Sequence, residues 1–203
     1  MDCYTKAGGV AGYASEVVLV PEYGIAMTVH AAGDEAVEGV KVAVPLLIDV
    51  LVGYANGLAR QEARERYTGT YTTTSSSEGQ SKVVISMDDG PGLRMEECIM
   101  NGIDVLPVLA GMRGLEPEKA VARIYPADED TGRGGKQVWR MMIDKEREGE
   151  ERGFAERECA SWNWGDAVRY AGVGLDRVVF QAEGGKAGSM EMCGWRATLS
   201  RVE

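Results

Sequence analysis

Few positions in this 203-residue chain carry side chains typed and spaced for chemistry. His30 is the single histidine and lies near the end of an apolar run, Ile25 to Ala31. One imidazole builds no His-based metal site, and no Ser/His/Asp set is legible around it, so His30 reads as structural. Asp88 and Asp89 are neighbouring carboxylates, the residue type used for general acid and base work. They sit in Asp88-Asp89-Gly90-Pro91-Gly92, where aspartate serves turn geometry. Cys3, Cys98, Cys159 and Cys193 are widely spread with no CxxC pair, which argues against zinc and against a dense disulfide framework. One bridge, such as Cys98 to Cys159, is left open, and buried free thiols are favoured. Trp139, Trp162, Trp164 and Trp195 could stack on a ligand, but in a β-rich region they read as core. The remaining candidate is Lys6, in the strand-like opening Tyr4-Thr5-Lys6-Ala7-Gly8-Gly9. Taken alone, a lysine there is a solvated cation.

The elements that would position these residues fall into two pieces. Ala14 to Val20 reads as a strand, Pro21 to Gly24 as a turn and Ile25 to Ala31 as the returning strand, with largely apolar faces as where helices cover a sheet. From Asp34 to about Arg66 the apolar residues Val40, Val44, Leu47, Leu51 and Leu58 keep a helical period. Pro45 is expected to kink this stretch or to split it into two helices. After Arg66, short β-type runs alternate with turn signals: Lys82–Met87, Leu93–Met100, Asp104–Leu109, Ala120–Tyr125, Gln137–Ile143, Phe154–Ala160, Arg177–Ala182, Ser189–Cys193 and Arg196–Ser200. That spacing suggests an antiparallel barrel or sandwich. Asp144 to Arg152 is a charged run that reads as a solvated hairpin tip. A boundary is therefore placed near residue 66, with residues 1–66 a hairpin plus helix and residues 67–203 an all-β domain.

The opening resembles the third signature of the serine β-lactamase and penicillin-binding-protein superfamily, which uses a Ser-x-x-Lys nucleophile helix, a Ser/Tyr-x-Asn loop and a Lys-Thr/Ser-Gly strand. The matching residues are Lys6-Ala7-Gly8, followed by the Gly-rich turn from Gly9 to Gly12 and by Val17 to Val29, similar to the final hairpin of the family. The later segment resembles the β-rich C-terminal domain of fungal β-lactamase-like proteins. Its cues are Tyr67 to Tyr71, Gly90-Pro91-Gly92-Leu93, Trp162 with Asp166 and Tyr170, and Leu175 to Phe180. The resemblance implies that Lys6 and Gly8 are catalytic-site residues lining an acyl site. The cation favours a substrate carboxylate, and the glycine lets substrate lie against the strand. Ala7 departs from the pattern by lacking the usual hydroxyl, which puts β-lactam hydrolysis in doubt more than ester hydrolysis. None of the serines has a lysine three positions later. Tyr54-Ala55-Asn56 has the form of the second motif, but it follows Lys6 and lies in a helical stretch, so it reads as coincidence.

The expected fold is α+β: the C-terminal strands and helix of a β-lactamase-like domain, then an antiparallel barrel or sandwich. The expected role is that of a C-terminal fragment of an ester- or amide-cleaving serine hydrolase that works through an acyl-enzyme. By itself the fragment is expected to be non-catalytic because the Ser-x-x-Lys nucleophile is absent. The alternative is a non-catalytic barrel that binds a small apolar ligand. No cofactor or metal is called for. A net charge of −10, from 32 acidic and 22 basic residues, with no basic stripe, disfavours nucleic acid. The most apolar stretch, Val40 to Ala59, is broken by Lys41, Pro45, Asp49 and Asn56, which disfavours a membrane span. The start, Met1-Asp2-Cys3-Tyr4, lacks signal-peptide character, and the compartment stays open. The incomplete N-terminal sheet is expected to expose an apolar face and to promote self-association.

Overall fold

The computed structural model describes residues 2–73, 79–127, 135–146, 165, 167–183 and 185–202. The chain divides into two compact units, Met1–Glu62 and Ala63–Glu203, each with its own apolar core.

In the first unit, β1 (Tyr4–Val10), β2 (Tyr13–Val20) and β3 (Ile25–Ala32) form an antiparallel sheet in that order. A 3-10 turn over Pro21–Tyr23 joins β2 to β3 and ends at Gly24, whose φ of 63° suits the residue without a Cβ. The register runs from Tyr4↔Leu19 to Val10↔Tyr13 and from Tyr13↔Ala32 to Val20↔Ile25. Helix α1 (Ala36–Tyr67) lays Val40, Val44, Ile48 and Val52, spaced four apart, onto Val18, Val20, Ile25, Met27 and Val29. Of the two outcomes expected at Pro45, a kink or a split, the split does not occur: the helix is continuous through it. Pro45 and Lys41, the residue whose carbonyl loses its donor, are both exposed, so water can satisfy the freed group. Only the α1 face is covered, and the other leaves Tyr4, Val10, Tyr13, Val17 and Leu19 between 38% and 74% exposed.

The second unit is a closed antiparallel barrel. Its strands are β4 (Gly69–Thr72), β5 (Lys82–Ser86), β6 (Leu93–Met100), β8 (Ala120–Pro126), β9 (Lys136–Lys145), β12 (Arg177–Glu183), β13 (Lys186–Met192) and β14 (Ala197–Val202). The order β5-β4-β14-β13-β12-β9-β8-β6 closes through β5–β6 pairing, so eight strands form the wall. A short β7 (Ile103–Asp104) pairs with β6, and β10 (Arg169–Tyr170) with β11 (Val173–Gly174) makes a separate ribbon. Register shifts at Val84/Ile85 and Gln181/Ala182 mark bulges. Alternate residues point inward, including Tyr71, Val83, Ile85, Leu93, Met95, Ile124, Phe180, Met190 and Leu199, all at most 2% exposed.

The expected strand Asp104–Leu109 is replaced by a helix, α2 (Leu106–Met112). Asp104 accepts a hydrogen bond from the Leu106 N–H at 3.2 Å, and Pro107 occupies the first turn, where its missing N–H is harmless. The Asp104 turn and the first-turn proline outweigh the β-type look of the run. The candidate strand Phe154–Ala160 lies outside the described residues, as do most of the run from Asp144 to Arg152, Cys159, Trp162 and Trp164. Asp144 and Lys145 themselves end β9.

Candidate functional site

Strand β1 places Lys6 and Gly8 on the sheet face turned away from α1, because each pairs with a residue of that face: Lys6 with Val17, Gly8 with Ser15. Both are exposed at the sheet edge. The Lys6 ammonium donates to the Ala7 carbonyl at 2.7 Å. A Cβ at Gly8 would stand 3.3 Å from Ser15 Oγ, so a side chain there would crowd the neighbouring strand as well as anything resting on the face. Ala7 lies in register with Glu16, on the opposite face. The same pairing rule brings two residues beside Gly8 that are far apart in sequence. Ser15 lies between Gly8 and His30 in one row across the sheet, and its hydroxyl donates to the Gly8 carbonyl at 3.3 Å. His30 is exposed. Sequence gave no warning of this row, since only the strand register aligns positions 8, 15 and 30.

The other candidates resolve as structure. Tyr54 is 69% exposed on α1, and Asn56 Oδ1 accepts a hydrogen bond from the Tyr23 hydroxyl at 3.3 Å, tying the β2–β3 turn to the helix. Asp88 accepts the Gly90 N–H at 2.9 Å and both Arg123 guanidinium nitrogens at 2.8 and 2.7 Å, with Arg94 further off at 3.4 Å. Arg123 above all holds the Asp88 carboxyl well below the usual carboxylate range. Arg94 also bonds Glu146 at 2.5 Å and Glu96 at 3.1 Å, so the cluster is a clasp joining β6, β8 and β9 rather than an acid–base pair. Cys3, Cys98 and Cys193 carry free thiols. Among the described residues no group of three or more His, Cys, Asp or Glu could hold a metal ion.

The barrel interior is filled. Tyr67, Tyr71, Trp139 and Phe180 meet at ring-centroid distances of 5.0 to 5.9 Å, and Trp195 packs against this core from the side. An apolar recess lined by Leu109, Met142 and Leu175 has a volume of about 50 Å³, and a more polar one beside Arg94, Glu96 and Pro117 about 210 Å³. Both fall below the roughly 300–1,000 Å³ of small-molecule pockets.

A family model described as "Beta-lactamase-like-like, C-terminal domain" matches residues 59–203. The chain belongs to this family. Relatives of the β-lactamase-like chain are fungal proteins. A beta-lactamase-like protein of Arthroderma benhamiae is 26% identical over 203 residues, covering 89% of this chain and 34% of its own length. The protein named "Probable hydrolase clz13" of Cochliobolus lunatus is 27% identical over 213 residues, covering 98% of this chain and 33% of its own length. A Phoma protein, also named a probable hydrolase, is 29% identical over 215 residues, covering 97% and 34%. The chain thus spans about a third of the length of the curated relatives it matches. No solved structure matches it.

Proposed function

We propose that these 203 residues act as the C-terminal portion of a serine hydrolase that cleaves small esters or amides through an acyl-enzyme, with β1 as one wall of the acyl site. In this reading a Ser-x-x-Lys serine from another part of the protein attacks the acyl carbon, and the alcohol or amine departs with a proton. Water then breaks the acyl–serine bond and releases the acid. Lys6 supplies a fixed positive charge at the wall, and Gly8 leaves room for the acyl group against the strand. Residues 1–203 alone contain no Ser-x-x-Lys and turn over no substrate.

The carrying observation is the placement of Lys6 and Gly8 on an exposed sheet face that also shows Tyr4, Val10, Tyr13, Val17 and Leu19. Bare apolar surface of that kind marks a place where further protein packs. The relatives, three times as long, have the chain length to supply it. The test compares p-nitrophenyl butyrate hydrolysis by the 203-residue chain, by a longer protein containing it, and by that longer protein with Lys6→Ala. The expected pattern is no turnover, turnover, and turnover reduced by about a hundredfold, on the scale of one lost electrostatic contact in a preorganised site. Full activity of the Lys6→Ala protein overturns the role of β1. The filled interior and small recesses give the ligand-holding barrel no comparable support.

A further inference from the structure

In the barrel wall, β6 pairs with β8 only over Leu93↔Ile124, Arg94↔Arg123 and Met95↔Ala122, and beyond Met95 the two strands part. The β5–β6 register passes from Ile85↔Met95 to Val84↔Glu97, which leaves Glu96 as the extra residue of a bulge at the parting point. A bulge bends its strand and ends pairing, and here Ile99 and Met100 turn to β7 instead. Helix α2 and the Pro117–Lys119 turn then carry the chain back to Ala120, where β8 begins. The gap between β6 and β8 is the recess of about 210 Å³, with the exposed Glu96 and Asp104 on its open side and the buried Val121 and Ile143 behind them. Below the size of a small-molecule pocket but roomy for several waters, it suits one extended side chain. Arg94 also lines it, but its guanidinium is committed to Glu146 at 2.5 Å and Glu96 at 3.1 Å. Asp104 accepts the uncharged Leu106 N–H, and among the described residues no cation pairs with it. The slot therefore has one carboxylate more than its cation balances. Helix α2 continues this surface without a charge. Positions four apart share a face, so Pro107 and Gly111 form a row beside the slot and Val108 and Met112 the next row, 55% and 53% exposed.

We propose that the slot and the outer face of α2 dock a partner polypeptide segment that puts a lysine side chain into the slot and neighbouring apolar residues on Val108 and Met112. The lysine stem lies along Pro107 and Pro117, and its ammonium donates to Asp104 and Glu96. Charge complementarity selects a basic partner, through the unmatched carboxylate locally and the net charge of −10 at long range. Both Glu96 oxygens and Asp104 Oδ1 already accept a hydrogen bond. An ammonium with three rotatable donors can use the lone pairs left over, whereas a guanidinium fork needs a free carboxylate edge. Among the described residues no group of three metal-ligating side chains is present, which favours an organic cation over a metal ion.

The test titrates the isotopically labelled 203-residue chain with the peptide acetyl-Lys-Leu-Leu-amide, with acetyl-Gln-Leu-Leu-amide, and with n-butylammonium chloride, all at equal ionic strength. Saturable shifts of the Glu96, Asp104, Leu106 and Val108 amides are expected with the lysine peptide, with much weaker binding of the other two. Asp104→Asn keeps the acceptor for the Leu106 N–H and should weaken the lysine peptide by about tenfold, the effect of losing one charged hydrogen-bond partner. Val108→Ser, at an exposed position, should weaken it several-fold, and Ala120→Leu should fill the slot and block binding. Backbone spectra report whether each variant keeps the barrel, and the two surface variants decide the matter if Ala120→Leu does not fold. No saturable shift with the lysine peptide overturns the proposal, as does equal binding of the glutamine peptide. Binding of n-butylammonium as tight as that of the peptide overturns the α2 face as a docking surface. Unchanged affinity in both Asp104→Asn and Val108→Ser overturns the placement.

Discussion

Asp88 and Tyr71 show how single polar groups stabilise the barrel, and each titrates with its own sign. Asp88 is held below the ordinary carboxylate range chiefly by Arg123, so its contribution is complete above pH about 4 and fades as pH falls further. Asp88→Asn should cost about 1–2 kcal/mol at pH 7, tempered by its partial exposure, and the gap to the parent in urea midpoint should close in acid. Tyr71 and Cys98 run the other way. Burial pushes the Tyr71 hydroxyl up to about 12 and the Cys98 thiol up to about 12. The unfolded chain loses these protons at lower pH than the folded one, so stability is complete below pH about 9 and falls between about 9 and 12. The Tyr71→Phe, Cys98→Ala double variant should show a shallower alkaline decline than the parent in thermal melts at pH 8 to 11. An equal or steeper decline would contradict the burial argument.

At the scale of elements, the end of α1 is joined to the barrel by hydrogen bonds to its last carbonyls. Tyr71 donates to the Tyr67 carbonyl at 2.8 Å, and Arg201 of β14 donates to the carbonyls of Arg66 and Thr68. A helix C-terminus leaves such carbonyls without intrahelical partners and carries partial negative charge, so the half-buried Arg201 guanidinium suits it. Arg201→Met should fray the last turn of α1, raising amide exchange at Tyr67 and Thr68 and costing about 1–3 kcal/mol. Protection as slow as in the parent would show that the helix end holds without it. Tyr67 also fills the barrel core against Trp139 and Phe180, and Tyr67→Ala should cost about 3–5 kcal/mol through the void it leaves. These links were illegible in sequence, since Arg201 and Arg66 are 135 positions apart. What could be read was local. The β2–β3 hairpin follows from Pro21 to Gly24, β6 and β12 from their apolar runs, and α1 from its period. At Pro45 the split did not follow because a solvent-facing proline need not break a helix, and Asp104–Leu109 turned helical where Asp104 accepts the Leu106 N–H and Pro107 sits in the first turn.

At the scale of the whole molecule, a filled barrel is accompanied by a three-stranded unit with exposed apolar faces. On α1, Val42, Leu46, Val50 and Tyr54 are 60% to 69% exposed, in addition to the bare side of the sheet. We expect the isolated chain to self-associate through that unit, so its sedimentation coefficient should rise with concentration. Val17→Lys and Leu19→Glu together should return it to a monomer, and a parent chain that stays monomeric at high concentration would refute this. Among the described residues no helix is long and apolar enough to cross a membrane. In the function proposed above, this chain supplies the Lys6 wall of a serine hydrolase and not its nucleophile. The most direct measurement labels the protein in its source cells with a fluorophosphonate and maps the labelled peptide. The label is expected on a Ser-x-x-Lys serine outside these 203 residues, in a species about three times as long. A label on a serine within them, or a 21.9 kDa native species that takes none, would contradict it.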